Sequence, residues 1–125
     1  MIEFNLDESK LVLHIHPTGP LRKEDFDNLA ETVDPIIERE GNLNGLIIET
    51  AGFPGWENFG SAIRHFRFVH DHHKKIEKVA IVTDSKLGEA AEHIASHFVS
   101  AEIRHFPIGE INEAKGWIAS IEKSD

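Results

Sequence analysis

The chain has 125 residues, 40 % of them apolar, with no cysteine and a formal net charge of −9. This length suits one hydrophobic core, so a single domain over residues 1–125 is expected. Without cysteine there are no disulfides, thiolate nucleophiles or Cys-type zinc sites, and the acidic balance argues against nucleic acid as a partner because phosphates repel it.

No apolar run approaches the ~20 residues of a membrane-spanning helix. Met1-Ile2-Glu3 passes straight into an alternating segment without a basic and apolar leader, so a soluble, cytoplasmic protein is expected. Ile2 to Leu6 alternates apolar and polar, Asp7-Glu8-Ser9 reads as a turn, and Lys10 to His16 alternates again, which predicts a hairpin. Pro17, Gly19 and Pro20 end that second strand. Phe26, Leu29, Ala30, Val33, Ile36 and Ile37 then recur at helical spacing up to Gly41, with a kink or break expected at Pro35.

Leu46-Ile47-Ile48 and Val79-Ala80-Ile81-Val82 are short continuous apolar runs, the pattern of strands covered on both faces, and a helix is expected between them. After the Thr83-Asp84-Ser85 turn, Ala90, Ala91, Ile94 and Ala95 fit a further helix capped by Asp84 or Ser85. Glu102 to Phe106 reads as a last strand, and Ile111, Ala114, Trp117, Ile118 and Ile121 mark a closing helix. The order β-β-α-β-α-β-α-β-α implies an α/β fold: a mostly parallel sheet with an antiparallel start and helices on its faces.

The segment from Phe53 to Lys75 concentrates the chain's chemistry. Phe53, Trp56, Phe59, Phe66 and Phe68 are half of all the aromatic residues. From Gly60 to Lys75, Arg64, Arg67, Lys74 and Lys75 face Asp71 alone, a net +3 that leaves −12 for the rest. The segment follows a strand, where open α/β sheets place ligands. Phe59, Ile63, Phe66 and His70 share one helical face that the sheet can bury, whereas Phe68 and Arg64 project elsewhere, which makes Phe68 the surplus apolar residue. The same spacing also describes a core helix with a few extra aromatics. The functional reading is a pocket or interfacial site for an anionic amphiphile, with Arg64, Arg67 and Lys74 at the head group and the aromatics, together with Ile63, on the apolar part. Phe53-Pro54-Gly55-Trp56 would be its mobile entrance.

Neither a metal nor a catalytic site is expected. Neighbouring residues in His70-Asp71-His72-His73 point in different directions on a helix. His93 and His97 share a helix face but lack the Glu of the zinc-protease pattern, and His14 and His16 lie on one side of their strand, either lining a pocket or packed under a helix. There is no phosphate loop, nucleophile elbow or dinucleotide fingerprint, and nothing at recognisable spacing orients Ser61, Asp84 or Glu49 for catalysis.

With Leu46-Ile47-Ile48-Glu49 before the aromatic helix and Lys78 to Asp84 after it, the element order resembles the SpoIIAA-like family, which belongs with the STAS domains and is similar in fold to the CRAL-TRIO lipid-transfer domains. The resemblance covers nearly the whole chain, especially Leu21 to Phe26, Trp56 to Phe68 and Ile108 to Trp117. It implies a small bacterial binding domain that can form a homodimer, and the missing catalytic constellations add the expectation of no enzyme activity and no cofactor. It also implies a groove beside the helix from Trp56 that opens around an apolar small molecule or lipid, and a helix that touches an anionic membrane. The alternative it carries is a protein-interaction module of the anti-sigma-antagonist type. Such antagonists use a phosphorylatable serine at the start of the following helix, whereas Glu49-Thr50-Ala51-Gly52-Phe53-Pro54 lacks the Asp-Ser pair; Thr50 is the nearest hydroxyl and Ser61 lies further on.

Overall fold

The computed structural model describes residues 1–52, 55–84 and 100–120. Five strands, β1 (Ile2–Asp7), β2 (Val12–Pro17), β3 (Leu43–Glu49), β4 (Ile76–Thr83) and β5 (Glu102–Pro107), form one sheet in chain order. β1 pairs with β2 antiparallel, and every later pair is parallel. The helices are α1 (Lys23–Glu40), α2 (Phe59–His72), continued by a 3-10 turn over His73–Lys75, and α3 (Ile111–Ala119). The helix expected around Ala90 to Ala95, the pair His93 and His97, Phe53 and Ile121 lie outside the described residues.

The hairpin turn is organised by Asp7, whose Oδ1 accepts from the Ser9 hydroxyl at 2.7 Å and from the Ser9 and Lys10 amides at 3.0 and 3.1 Å. α1 begins at Arg22, where the Asp25 carboxylate accepts the Arg22 amide at 2.8 Å, and ends at Gly41, whose φ of 94° suits a residue without Cβ. Contrary to expectation, Pro35 does not break α1, which runs uninterrupted over its 18 residues. The amide missing at Pro35 would have bonded the Glu31 carbonyl, and both residues are exposed, so the vacant acceptor is not sealed in the core.

Two clusters hold the layers together. On one face, α1 and α2 close over Leu13, Ile15, Phe26, Leu29, Val33, Ile36 and Phe68. On the other, Ala114 and Ile118 of α3 cover Ile47, Ala80, Val82 and Phe106. Each Val, Leu, Ile or Phe side chain among them contributes about 1.5–3 kcal/mol by leaving water, and the alanines less. Contact is closest at Gly45, where an added Cβ would lie 2.4 Å from Cγ2 of Ile118, so only glycine lets α3 rest on β3 here. Lys78 is buried beneath the end of α3, and its ammonium donates to the carbonyls of Trp117 (2.9 Å) and Ser120 (3.1 Å), satisfying acceptors that the helix terminus leaves free.

Candidate functional site

α2 starts at Asn58, whose side-chain oxygen accepts the Ser61 amide at 2.9 Å and the Ser61 hydroxyl at 3.2 Å. This cap fixes which face of the helix meets α1. The inward face carries Ser61, Ala62, Phe68 and His72. His72 donates or accepts at both ring nitrogens, to the Phe68 carbonyl and to Asp34 of α1, each at 2.7 Å, and its ring stacks on Phe68 at 4.1 Å. His65 stacks between Phe26 (4.8 Å) and Phe66 (6.0 Å), and its Nδ1 accepts the Trp56 indole N–H at 3.1 Å. Burial pushes the His65 imidazole below its ordinary pKa, in keeping with a neutral ring that accepts at Nδ1.

The facing of α2 is therefore the reverse of the expected one. Phe68, the residue expected to be surplus on the surface, belongs to the core between Phe26 and His72. Phe59, Ile63 and Phe66, expected under the sheet, are exposed at 79 %, 42 % and 63 %. The reason is chemical: His72 and Ser61 are buried and His65 half-buried on the inner face, where Asp34, Asn58 and Trp56 supply partners for their polar atoms. That leaves the stripe at spacing i, i+4, i+7 facing outward.

Trp56 joins the stripe from the segment before α2, held by a bridge to Leu21 and by an edge-on contact with Phe66 at 5.8 Å. Arg64 is neutralised by Asp27, with nitrogen–oxygen distances of 3.0 and 3.1 Å. Arg67 and Lys74 are exposed and form no ion pair among the described residues, whereas Lys75 lines a cavity with Asp34, Glu38 and Asp71. Trp56, Phe59, Ile63 and Phe66 thus share the outer side of α2 with Arg67 next to Phe66 in sequence, Lys74 lies past the helix end in the 3-10 turn, and Phe68 is on the opposite, inner side. Neither of the two described cavities is lined by Phe59, Ile63 or Phe66. The feature is a surface.

The histidine run is not a uniformly solvated helix end: His70 is exposed beside Asp71, but His72 points into the core, and His73 accepts the Ser100 amide at 2.8 Å. Among the described residues no three His, Cys, Asp or Glu side chains converge as a metal site. Thr50, the hydroxyl nearest the position of an antagonist's serine, donates to the Gly52 carbonyl at 2.6 Å, nine residues before α2 begins.

Strand order, mixed pairing and helices on both faces define a STAS-type α/β domain. The chain belongs to the SpoIIAA-like family, whose model matches residues 12–119. In fold it is similar to an uncharacterised protein of the DUF3478 family with a SpoIIAA-like fold from Shewanella loihica PV-4, at 20 % identity and a TM-score of 0.72, over 94 % of this chain and 93 % of that one. Among curated proteins, the sequence matches none.

Proposed function

We propose that this domain is a non-enzymatic binding module that docks through the outer stripe of α2 onto an anionic amphiphile, in the physical setting of a lipid headgroup layer. The observation that carries this reading is the exposure of Phe59 and Phe66 on the same face, at 79 % and 63 %, in a helix whose other face already serves the core. Packing does not need them. Each aromatic ring that leaves water on docking returns about 1.5–3 kcal/mol. Arg67 on the same helix and Lys74 just past its end would each add about 1 kcal/mol against acidic headgroups. No described helix is long and apolar enough to cross a bilayer, so the association would be peripheral.

The test is co-sedimentation with vesicles of phosphatidylglycerol and phosphatidylcholine. The wild-type protein is expected to bind them, and Phe59→Asp with Phe66→Asp is expected to abolish binding while leaving the thermal unfolding transition in place, because neither ring is in the core. Equal binding by the double variant would sink the assignment.

A protein partner of the anti-sigma-antagonist kind is the second reading, favoured by the concentration of Trp, Phe and Arg, the residue types that dominate protein interfaces. Self-association through the same stripe is disfavoured by charge, since two copies face to face would bring Arg67 and Lys74 of each toward the other.

A further inference from the structure

The sheet face away from α1 and α2 carries a second concavity. α3 packs over β3, β4 and β5. Beyond its edge, Glu3, Asn5 and His16 of β1 and β2 stay exposed, and a cavity of about 460 Å³ opens between the hairpin and α3. That volume lies within the ~300–1,000 Å³ of small-molecule sites. Val12, Ile47 and Ile118 supply apolar lining.

The rim contains carboxylates and ammonium groups, but they are not equally available. Asp7 is occupied by three hydrogen bonds from Ser9 and Lys10, and Glu77 accepts from the Asn42 side chain. Lys78 is used up beneath α3. Lys10 and Lys115 are exposed, and among the described residues neither ammonium group makes a hydrogen bond or an ion pair, although Asp7 lies within Coulomb reach of Lys10. Lys10, Lys78 and Lys115 outnumber Asp7 and Glu77 in the lining, so its formal charge is +1, with Lys10 and Lys115 the cations whose ammonium groups have no hydrogen-bond partner among the described residues.

One wall adds directional polar groups. His14 lies beside Glu49, with Nε2 2.8 Å from Oε1. A carboxylate only accepts, so Nε2 carries the proton of that bond and Nδ1 is left for another partner. Asn5 is directly opposite His14 in the β1–β2 ladder, and its side-chain amide has no hydrogen-bond partner among the described residues. Neither group is needed to hold the hairpin, whose register is set by backbone bonds and the Asp7 turn.

We propose that this groove is a second binding site, for a small organic anion with a flat apolar body. Lys10 and Lys115 hold its carboxylate or sulfonate, Val12, Ile47 and Ile118 take the ring, and Asn5 and His14 read its polar edge. The site is separate from the α2 stripe, because the sheet lies between them.

The experiment is a backbone amide NMR titration with 1-naphthaleneacetate and, separately, with its uncharged counterpart 1-naphthaleneacetamide. The acetate is expected to shift the amides of Val12, His14, Ile47 and Ile118 along one saturable curve. The acetamide is expected to bind about tenfold more weakly, as is the acetate to Lys115→Glu, whereas the charge-matched control Lys23→Glu should keep wild-type affinity. The spectrum itself reports whether each variant is folded. Acetate and acetamide binding alike, an unaffected Lys115→Glu, or shifts confined to α2 would each overturn the proposal. Failure of vesicle binding at α2 would leave this result standing, since the amides that respond are on the opposite face.

Discussion

His65 shows how a single side chain ties the stripe to the core. Its ring is sandwiched by Phe26 and Phe66, and Nδ1 takes the Trp56 indole proton, so the bonded form is the neutral ring. Burial lowers its pKa below the ordinary 6.5. The unfolded chain therefore takes up a proton at higher pH than the folded one, and stability due to this group is complete above 6.5 and falls as the pH drops from there toward the folded value. Urea midpoints measured between neutral and mildly acidic pH are expected to decline, with loss of the Trp56 indole N–H signal in the same range. His65→Phe keeps the stack and removes the titration, so its midpoint should decline less; an equal decline would mean another group governs this range. Asp25 is a different case. Burial alone would raise its carboxyl, but the Met1 ammonium at 2.8 Å and the Arg22 amide outweigh burial and hold it below 3.8, so its contribution is lost only in more acidic solution.

At the scale of elements, the strands and their order were legible because their signals are local. Leu46-Ile47-Ile48 and Val79 to Val82 announce buried parallel strands, Gly41 marks the end of α1, and polar alternation in Ile2 to Leu6 marks a strand with one open face. The facing of α2 was not legible. It depends on the Asp34–His72 pair and the Trp56–His65 bond, which join residues distant in sequence or on different elements, and hydrophobic periodicity gives a histidine no credit for such partners. The groove beside α3 was hidden for a similar reason: His14 and His16 could be seen to share a side, but only the sheet shows that α3 stops short of them. The two faces of α2 lead to a direct comparison. Phe68→Ala opens the core between Phe26 and His72 and is expected to cost about 3–5 kcal/mol in chemical denaturation. Phe66→Ala, on the outer stripe, should stay within roughly 1 kcal/mol of wild type, its loss being the contacts with Trp56 and His65. Similar costs for both would mean that the outer stripe is packed in solution.

For the whole molecule, the decisive property is the separation of charge. A protein of net −9 is repelled by an acidic surface unless it presents the side that carries Arg67 and Lys74, so docking has to be oriented, with α2 leading. Close to the surface the attraction between Arg67, Lys74 and headgroups acts within a Debye length of about 10 Å at 0.1 M salt, and added salt screens it. Self-association through the same stripe has the opposite sign, because salt would screen the repulsion between the two copies' Arg67 and Lys74. The two readings of α2 thus predict opposite responses to one variable. Vesicle binding is expected to weaken as salt rises, and Arg67→Glu with Lys74→Glu should weaken it most at low salt, with the gap to wild type closing at high salt. A sedimentation series that instead shows a dimer tightening with salt and dissociating on Phe66→Asp would assign the stripe to a second copy of this chain. Because Phe66 is spent in either complex and Arg67 favours only one, the sign of the salt dependence, rather than the loss of binding in the Phe66 variant, identifies the partner.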